Sequence, residues 1–363
     1  MVRFEWSPWS TLLAAVATLH LILAVGGLHY SDFTMIHATS VALREGRPAY
    51  DPVTLNDGIW RNMNPPQLNM LTWPLAAVPL PLAARIFRIV NFAAFGAAVL
   101  LVLSPSELAS RRGGWLVVAA LASPALVMQE GAGQVAGILA LASAACWRWI
   151  AAGRWWLAGV AIGVLCALKP FFVPMLVWLV LTRRWRPAAT AVLTGAGLTL
   201  LSVVVWGIQP QRDWLGAMST VTWFDSRFNM GWTALAMRLV GSHDPFSYQV
   251  AVAVSVVLAF GFAMIAARAR AERAFLQLCA ASIVATPLGW LYYLCVPGPL
   301  LMRAVYDGAK LSPLAWLLWI PLPLVSQAST SYGLRLTLGS VYAWGMAALV
   351  WSLFRGGYRQ SNQ

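Results

Sequence analysis

The side chains best suited to moving a proton or holding an anion are few in this chain and lie far apart. Asp32 follows the first apolar segment by a turn or less. A carboxylate there can work as a base, because a group that exchanges protons needs water and a defined partner, which a bilayer core does not supply. Its other reading is a helix-end acid or turn former. His29 and His37 flank it and could tune its protonation or bind substrate, or be ordinary interfacial residues. Lys169 stands in Ala167-Leu168-Lys169-Pro170-Phe171-Phe172, with no acid nearby in sequence and Lys310 as the only other lysine. It reads as a fixed cation for a phosphate or as a side chain snorkelling from a helix end. Pro170 frees backbone groups and favours a local break lining a cavity. Other polar segments interrupt apolar runs at Glu130-Gly131-Ala132-Gly133-Gln134, at Asp225 to Trp232 and at Thr286-Pro287-Leu288-Gly289-Trp290. Asp51 and Asp57 occur in turn chemistry, Tyr50-Asp51-Pro52 and Asn56-Asp57-Gly58, and read as loop stabilisers; a metal pair with Asp32 is the alternative. Trp60, Trp223 and Trp290 adjoin polar segments and could stack on a sugar ring, whereas interfacial anchoring explains most of the twenty tryptophans.

These residues need elements that bring them together, and composition says what kind. Of 363 residues, 60% are hydrophobic and only 10% charged, and the mean hydropathy of +0.69 lies outside the range of a soluble globular domain. Apolar runs close to the ~20 residues that span a bilayer recur from Thr11–Gly27 to Leu336–Leu353. The expected fold is therefore an all-α polytopic membrane protein, a single unit over residues 1–363, with the lipid bilayer as its surroundings. The formal charge of +13 does not imply nucleic acid, because the arginines form no stripe or tail and punctuate helix ends instead. Under the positive-inside rule, loops such as Arg183-Arg184-Trp185-Arg186 face the cytoplasm and its anionic headgroups. Most of the acids lie in a first loop of about residues 30–66, where Arg44, Arg47 and Arg61 partly offset them, and a second of about 208–245, and both loops are then expected to face the periplasm or exterior.

On that basis helix 1 crosses at about residues 10–29 and is retained rather than cleaved as a signal peptide. Thr34 to Glu45 forms a short amphipathic helix along the membrane surface. The run Pro66 to Leu82, interrupted by Pro74, Pro79 and Pro81, is re-entrant or interfacial, and 86–103 crosses. About 12 spans result, within a range of 10–13, several of them too short to be straight crossings and with both termini inside. Cys146, Cys166, Cys279 and Cys295 lack CxxC spacing and read as buried thiols, not as zinc ligands or disulfides.

Taken in order, Asp32-Phe33, Gly46 with Tyr50, Asn64-Pro65-Pro66, Gly133-Gln134, Ala158-Gly159 with Leu168-Lys169-Pro170, Asn229 and Thr286-Pro287 with Trp290 resemble the landmarks of glycosyltransferase family 87. The resemblance spans about residues 30–300. It implies a GT-C-like bundle in the inner membrane, a donor sugar such as mannose on a polyprenyl monophosphate, a glycolipid or glycan acceptor at the outer face, and inversion at the anomeric carbon. It implies Asp32 as general base and Lys169 near the donor phosphate. Gln134, Asn229, His37, Tyr50, Trp290 and Tyr292 join Lys169 as candidate substrate-binding residues, with no metal or organic cofactor. Two departures stand out. The family often has Ser-Pro-x-Ser-Trp followed by histidine, where this chain has Thr286-Pro287-Leu288-Gly289-Trp290-Leu291-Tyr292-Tyr293, so a histidine role is lost or passes to a tyrosine. A serine after the Asn229 position is also replaced, giving Asn229-Met230-Gly231. A lipid-linked-sugar flippase and a non-catalytic subunit that keeps the fold are the competing readings.

Overall fold

The computed structural model describes residues 8–26, 31–55, 58–219, 226–241, 245–320 and 331–355. His29, Asp57, Trp223, Asp225 and Asp244 lie outside them.

Helix α1 (Pro8–Gly26) is followed by α2 (Ser31–Arg44). Gly46, at φ +66°, turns the chain into a small antiparallel ribbon of β1 (Val53–Leu55) and β2 (Gly58–Trp60). Prolines then shape the next segment. Pro66 opens α3 (Pro66–Thr72), Pro74 lies in a 3-10 turn over Trp73–Ala77, and Pro79 caps α4 (Leu80–Val102). Each proline lacks an N–H and is tolerated only near the start of a helix. Pro66 to Leu82 is accordingly broken rather than a continuous span. α2 differs from the expected surface helix: its Phe33, Ile36, Ser40 and Leu43 are buried, so it packs within the protein, against α3, α4 and the 3-10 turn.

The chain continues through α5 (Pro105–Ala109), α6 (Arg111–Leu121), α7 (Pro124–Ala132), α8 (Ala136–Ala151) and α9 (Trp155–Leu168). Next come α10 (Val173–Leu181), α11 (Trp185–Trp206), α12 (Gln209–Met218), α13 (Trp232–Val240) and α14 (Pro245–Ala266). α15 (Ala271–Val284), α16 (Gly298–Tyr306), α17 (Tyr332–Leu336) and α18 (Val341–Arg355) complete it. α8 lies at the centre of the core, packed against α4, α9 and α15; α9 turns small residues, Ala158, Gly159, Ala161 and Gly163, toward its neighbours α8 and α11.

Among the described residues four helical stretches are long and apolar enough to cross a bilayer: Leu80–Val102, Trp185–Trp206, Phe246–Ala266 and Tyr332–Arg355, the last made of α17 and α18 with the turn between them. A fifth arises if α6 and α7, bent by 43°, act as one span. The chain is thus an all-α polytopic membrane protein, with fewer straight crossings than apolar runs. At ~1.5 Å per residue, the 16-residue α8 and 14-residue α9 fall short of a ~30 Å hydrocarbon core. The apolar stretch at 291–302 is not one helix either. It comprises a buried 3-10 turn, Leu291–Cys295, and the start of the nine-residue α16. Apolarity there reflects burial in protein rather than contact with lipid. Cys146, Cys279 and Cys295 are buried and Cys166 is half-buried, all four as free thiols.

Candidate functional site

Lys169 is placed by its neighbour. A residue before proline is pushed out of the helical region, and Lys169 adopts φ −145°, ψ 96°, ending α9 and turning its side chain out of the helix. The side chain is buried at 6% exposure. Its Nζ donates to Asn64 Oδ1 and, at 2.5 Å, to Tyr293 Oη. An ammonium carries three N–H donors, so one remains for a ligand.

Asp32 sits in the first turn of α2, half-buried. Gln134 Nε2 donates to its Oδ2 at 2.7 Å and Tyr292 Oη at 3.3 Å. Gln134 reaches it because Gly133 ends α7 in the left-handed conformation, φ 70°, ψ 49°. A Cβ on Gly133 would lie 2.6 Å from Phe33 Cβ, so only glycine lets this turn close on the start of α2. Removal from water raises the Asp32 pKa, and the bonds from Gln134 and Tyr292 with the Lys169 charge only partly oppose it. Burial likewise pulls Lys169 down, to about 7, against the opposing pull of the Asp32 carboxylate.

Both groups line one cavity of about 750 Å³, with Arg61 as the third charged residue on its wall. Gln134, Trp290, Tyr292 and Tyr293 line it as well, and so does Trp60. Part of its lining is apolar: Val173 and Val177 of α10 and Val256 and Phe260 of α14, two helices packed against each other. Val173 is 44% exposed and Val256 and Phe260 each 51%, so this apolar part of the lining reaches the protein surface.

Three of the expected substrate-binding residues do not line this cavity. His37 Nε2 pairs with the Val78 carbonyl at 3.1 Å. Tyr50 is buried and donates to the Asn64 carbonyl at 2.7 Å, which fixes the loop rather than a ligand. Asn229 is fully buried; its Oδ1 accepts from the amides of Gly231 and Gly289, both at 2.9 Å, and its Nδ2 donates to the Pro287 carbonyl at 2.7 Å. Asn229 thereby clips the second polar segment to the Thr286–Trp290 turn, where it forms a bridge with Trp290. Asp51 is exposed ahead of the ribbon and outside the cavity wall.

Sequence reading missed the part played by Asn64, whose only signal was its place in Asn64-Pro65-Pro66, and the pairing of Tyr293 with Lys169. The two tyrosines after Trp290 divide the work, Tyr292 on the carboxylate and Tyr293 on the ammonium.

The site is thus a cavity of mixed polar and apolar lining in a helical membrane protein, with one carboxylate and one ammonium among its described charged groups. Residues 62–297, more than half of the chain, match the model of glycosyltransferase family 87, and the chain belongs to that family. It is 26% identical over 274 residues to a polyprenol-phosphate-mannose-dependent alpha-(1-2)-phosphatidylinositol pentamannoside mannosyltransferase of Mycobacterium tuberculosis, covering 72% of this chain and 63% of that protein. It is also 26% identical over 210 residues to an alpha-(1->3)-arabinofuranosyltransferase of Corynebacterium glutamicum, covering 56% and 48%. The chain thus spans about half to three-fifths of the length of these relatives.

Proposed function

We propose that this protein is an inverting hexosyltransferase that moves a sugar, mannose as in the first relative, from a polyprenyl-phosphate donor to a glycolipid or glycan acceptor at the outer face of the inner membrane. The observation that carries the reading is the carboxylate of Asp32 and the ammonium of Lys169 on the wall of one cavity. A lipid phosphate leaves readily once its charge is met, so the reaction needs chiefly a cation at the phosphate and a base at the acceptor hydroxyl. Lys169 offers its third N–H to a phosphate oxygen. As the C1–O bond to phosphate breaks, the acceptor oxygen attacks C1 from the opposite face and Asp32 takes its proton. The products are the glycosylated acceptor, the polyprenyl phosphate and a proton that passes from Asp32 to solvent. The polyprenyl tail would lie against the apolar side chains that α10 and α14 contribute to the cavity lining. A raised pKa makes Asp32 a stronger base than an ordinary carboxylate, which suits this role near neutral pH.

The test is transfer by purified protein from polyprenyl-phosphate-mannose and from the arabinofuranose counterpart, with the anomeric configuration of the product read by NMR. Mannosyl transfer with inversion is expected. Retention of configuration, or transfer of neither sugar by folded protein, would overturn the reading.

A further inference from the structure

A buried ammonium is commonly held by a carboxylate, which neutralises it. Lys169 is held by an amide and a phenol instead, and the amide is fixed from behind. Asn64 donates to Asn62 Oδ1 through both its backbone N–H and its Nδ2, each at 2.9 Å. The Asn62 amide in turn donates to Thr39 Oγ1 at 3.0 Å and Asn69 Oδ1 at 3.4 Å, and Tyr50 Oη holds the Asn64 carbonyl at 2.7 Å. Asn62, Asn64 and Asn69 are all buried. With its NH2 committed to Asn62, Asn64 can present only its oxygen to Lys169. The amide therefore favours the protonated amine while adding no negative charge.

We infer that Asn64, locked by the Asn62–Asn69–Tyr50 network, is a positioning residue that keeps Lys169 charged and aimed but un-neutralised, so that its charge is free for an anionic donor. The inference rests on the assignment of Lys169 to the donor phosphate. Among the described residues the groups facing Lys169 are Asn64 from the segment before α3, Asp32 from α2 and Tyr293 from the 3-10 turn, with Tyr292 and Arg61 elsewhere on the wall. Among them Asp32 is the one carboxylate, and it is engaged by Gln134 and Tyr292.

The chain offers a direct readout, because Lys169 and Lys310 are its only lysines. In a Lys310→Arg background, protein labelled with ¹³C at lysine Cε gives one resonance whose pH titration reports Lys169, independently of activity. Asn64→Asp should move that titration upward by about 1 to 3 pH units, as a close opposite charge does, and Asn64→Leu should move it downward. Both should raise the donor KM at neutral pH, the first by competing for the cation and the second by losing it. A role confined to folding would alter the melting temperature and leave the titration in place. The isosteric Asn64→Asp suffices if Asn64→Leu fails to fold. An unmoved titration in folded Asn64→Asp overturns the inference. A moved titration with an unchanged donor KM, matched by an unchanged KM in Lys169→Ala, overturns the assignment of Lys169 to the phosphate instead.

Discussion

At the scale of single residues, Asp32 and Lys169 shift toward each other in proton affinity because both leave water for the same cavity wall. The direction of each shift fixes a pH profile. Asp32 is protonated, and useless as a base, below its raised pKa, so kcat/KM falls on the acid side. Lys169 loses its charge as the pH passes about 7, so donor capture and kcat/KM fall on the alkaline side as well. A bell-shaped profile of kcat/KM is expected, and Lys169→Arg, which cannot titrate in this range, should flatten its alkaline limb. A profile with no alkaline limb in the wild type would remove Lys169 from donor binding. Lys169→Ala should cost about 1.5 to 3 kcal/mol in donor capture, as loss of a charged hydrogen bond does, measured as kcat/KM for the donor. Unaltered kinetics in the folded variant would make Lys169 a structural cation only.

At the scale of elements, the two departures from the family pattern meet in space. A Cβ on Gly289 would lie 3.0 Å from Gly231 N and 2.2 Å from the Ile283 carbonyl oxygen, and one on Gly231 would lie 2.4 Å from the Thr286 carbonyl oxygen. A side chain at either glycine would therefore collide with backbone, and the paired glycines let the Asn229 clip close. Arg238 secures the clip from α13, donating to the Asn229 carbonyl at 2.6 Å and the Gly339 carbonyl at 2.6 Å. Gly231→Ala should destabilise the protein by about 1 to 3 kcal/mol, as overpacking of a tight contact does, and lower turnover by displacing Trp290 from the cavity wall. A thermal melt in detergent that matches the wild type would show that the turn has more slack than these distances allow. Sequence made parts of this legible. Asp32 and Lys169 stood out as ionisable groups at the ends of apolar runs, and Pro170 marked the break that frees Lys169. Tyr50, His37 and Asn229 were visible as polar residues, but their partners lie in other segments, Asn229 pairing with Pro287 across 58 residues. The same holds for Asn64, which reaches Lys169 across 105 residues with no periodicity to announce it. Helix count was the least legible feature, since an apolar run buried in protein and one facing lipid look alike in composition.

At the scale of the whole molecule, the segregation of charge sets the expected orientation, with the cavity on the outer side. In otherwise unreactive protein, a cysteine replacing exposed Ser219 should react with a membrane-impermeant thiol reagent in intact cells, while one replacing exposed Arg186 should not. The reverse labelling would put the cavity in the cytoplasm and remove the case for an outer acceptor. The sharpest test of the chemistry is the rate of sugar transfer from polyprenyl-phosphate-mannose by purified Asp32→Asn beside the wild type. Asparagine keeps the size of the side chain but cannot take the acceptor's proton, so turnover should fall about 10²- to 10⁴-fold with donor binding retained. Transfer by Asp32→Asn at near the wild-type rate would show that the proton goes elsewhere and contradict the mechanism.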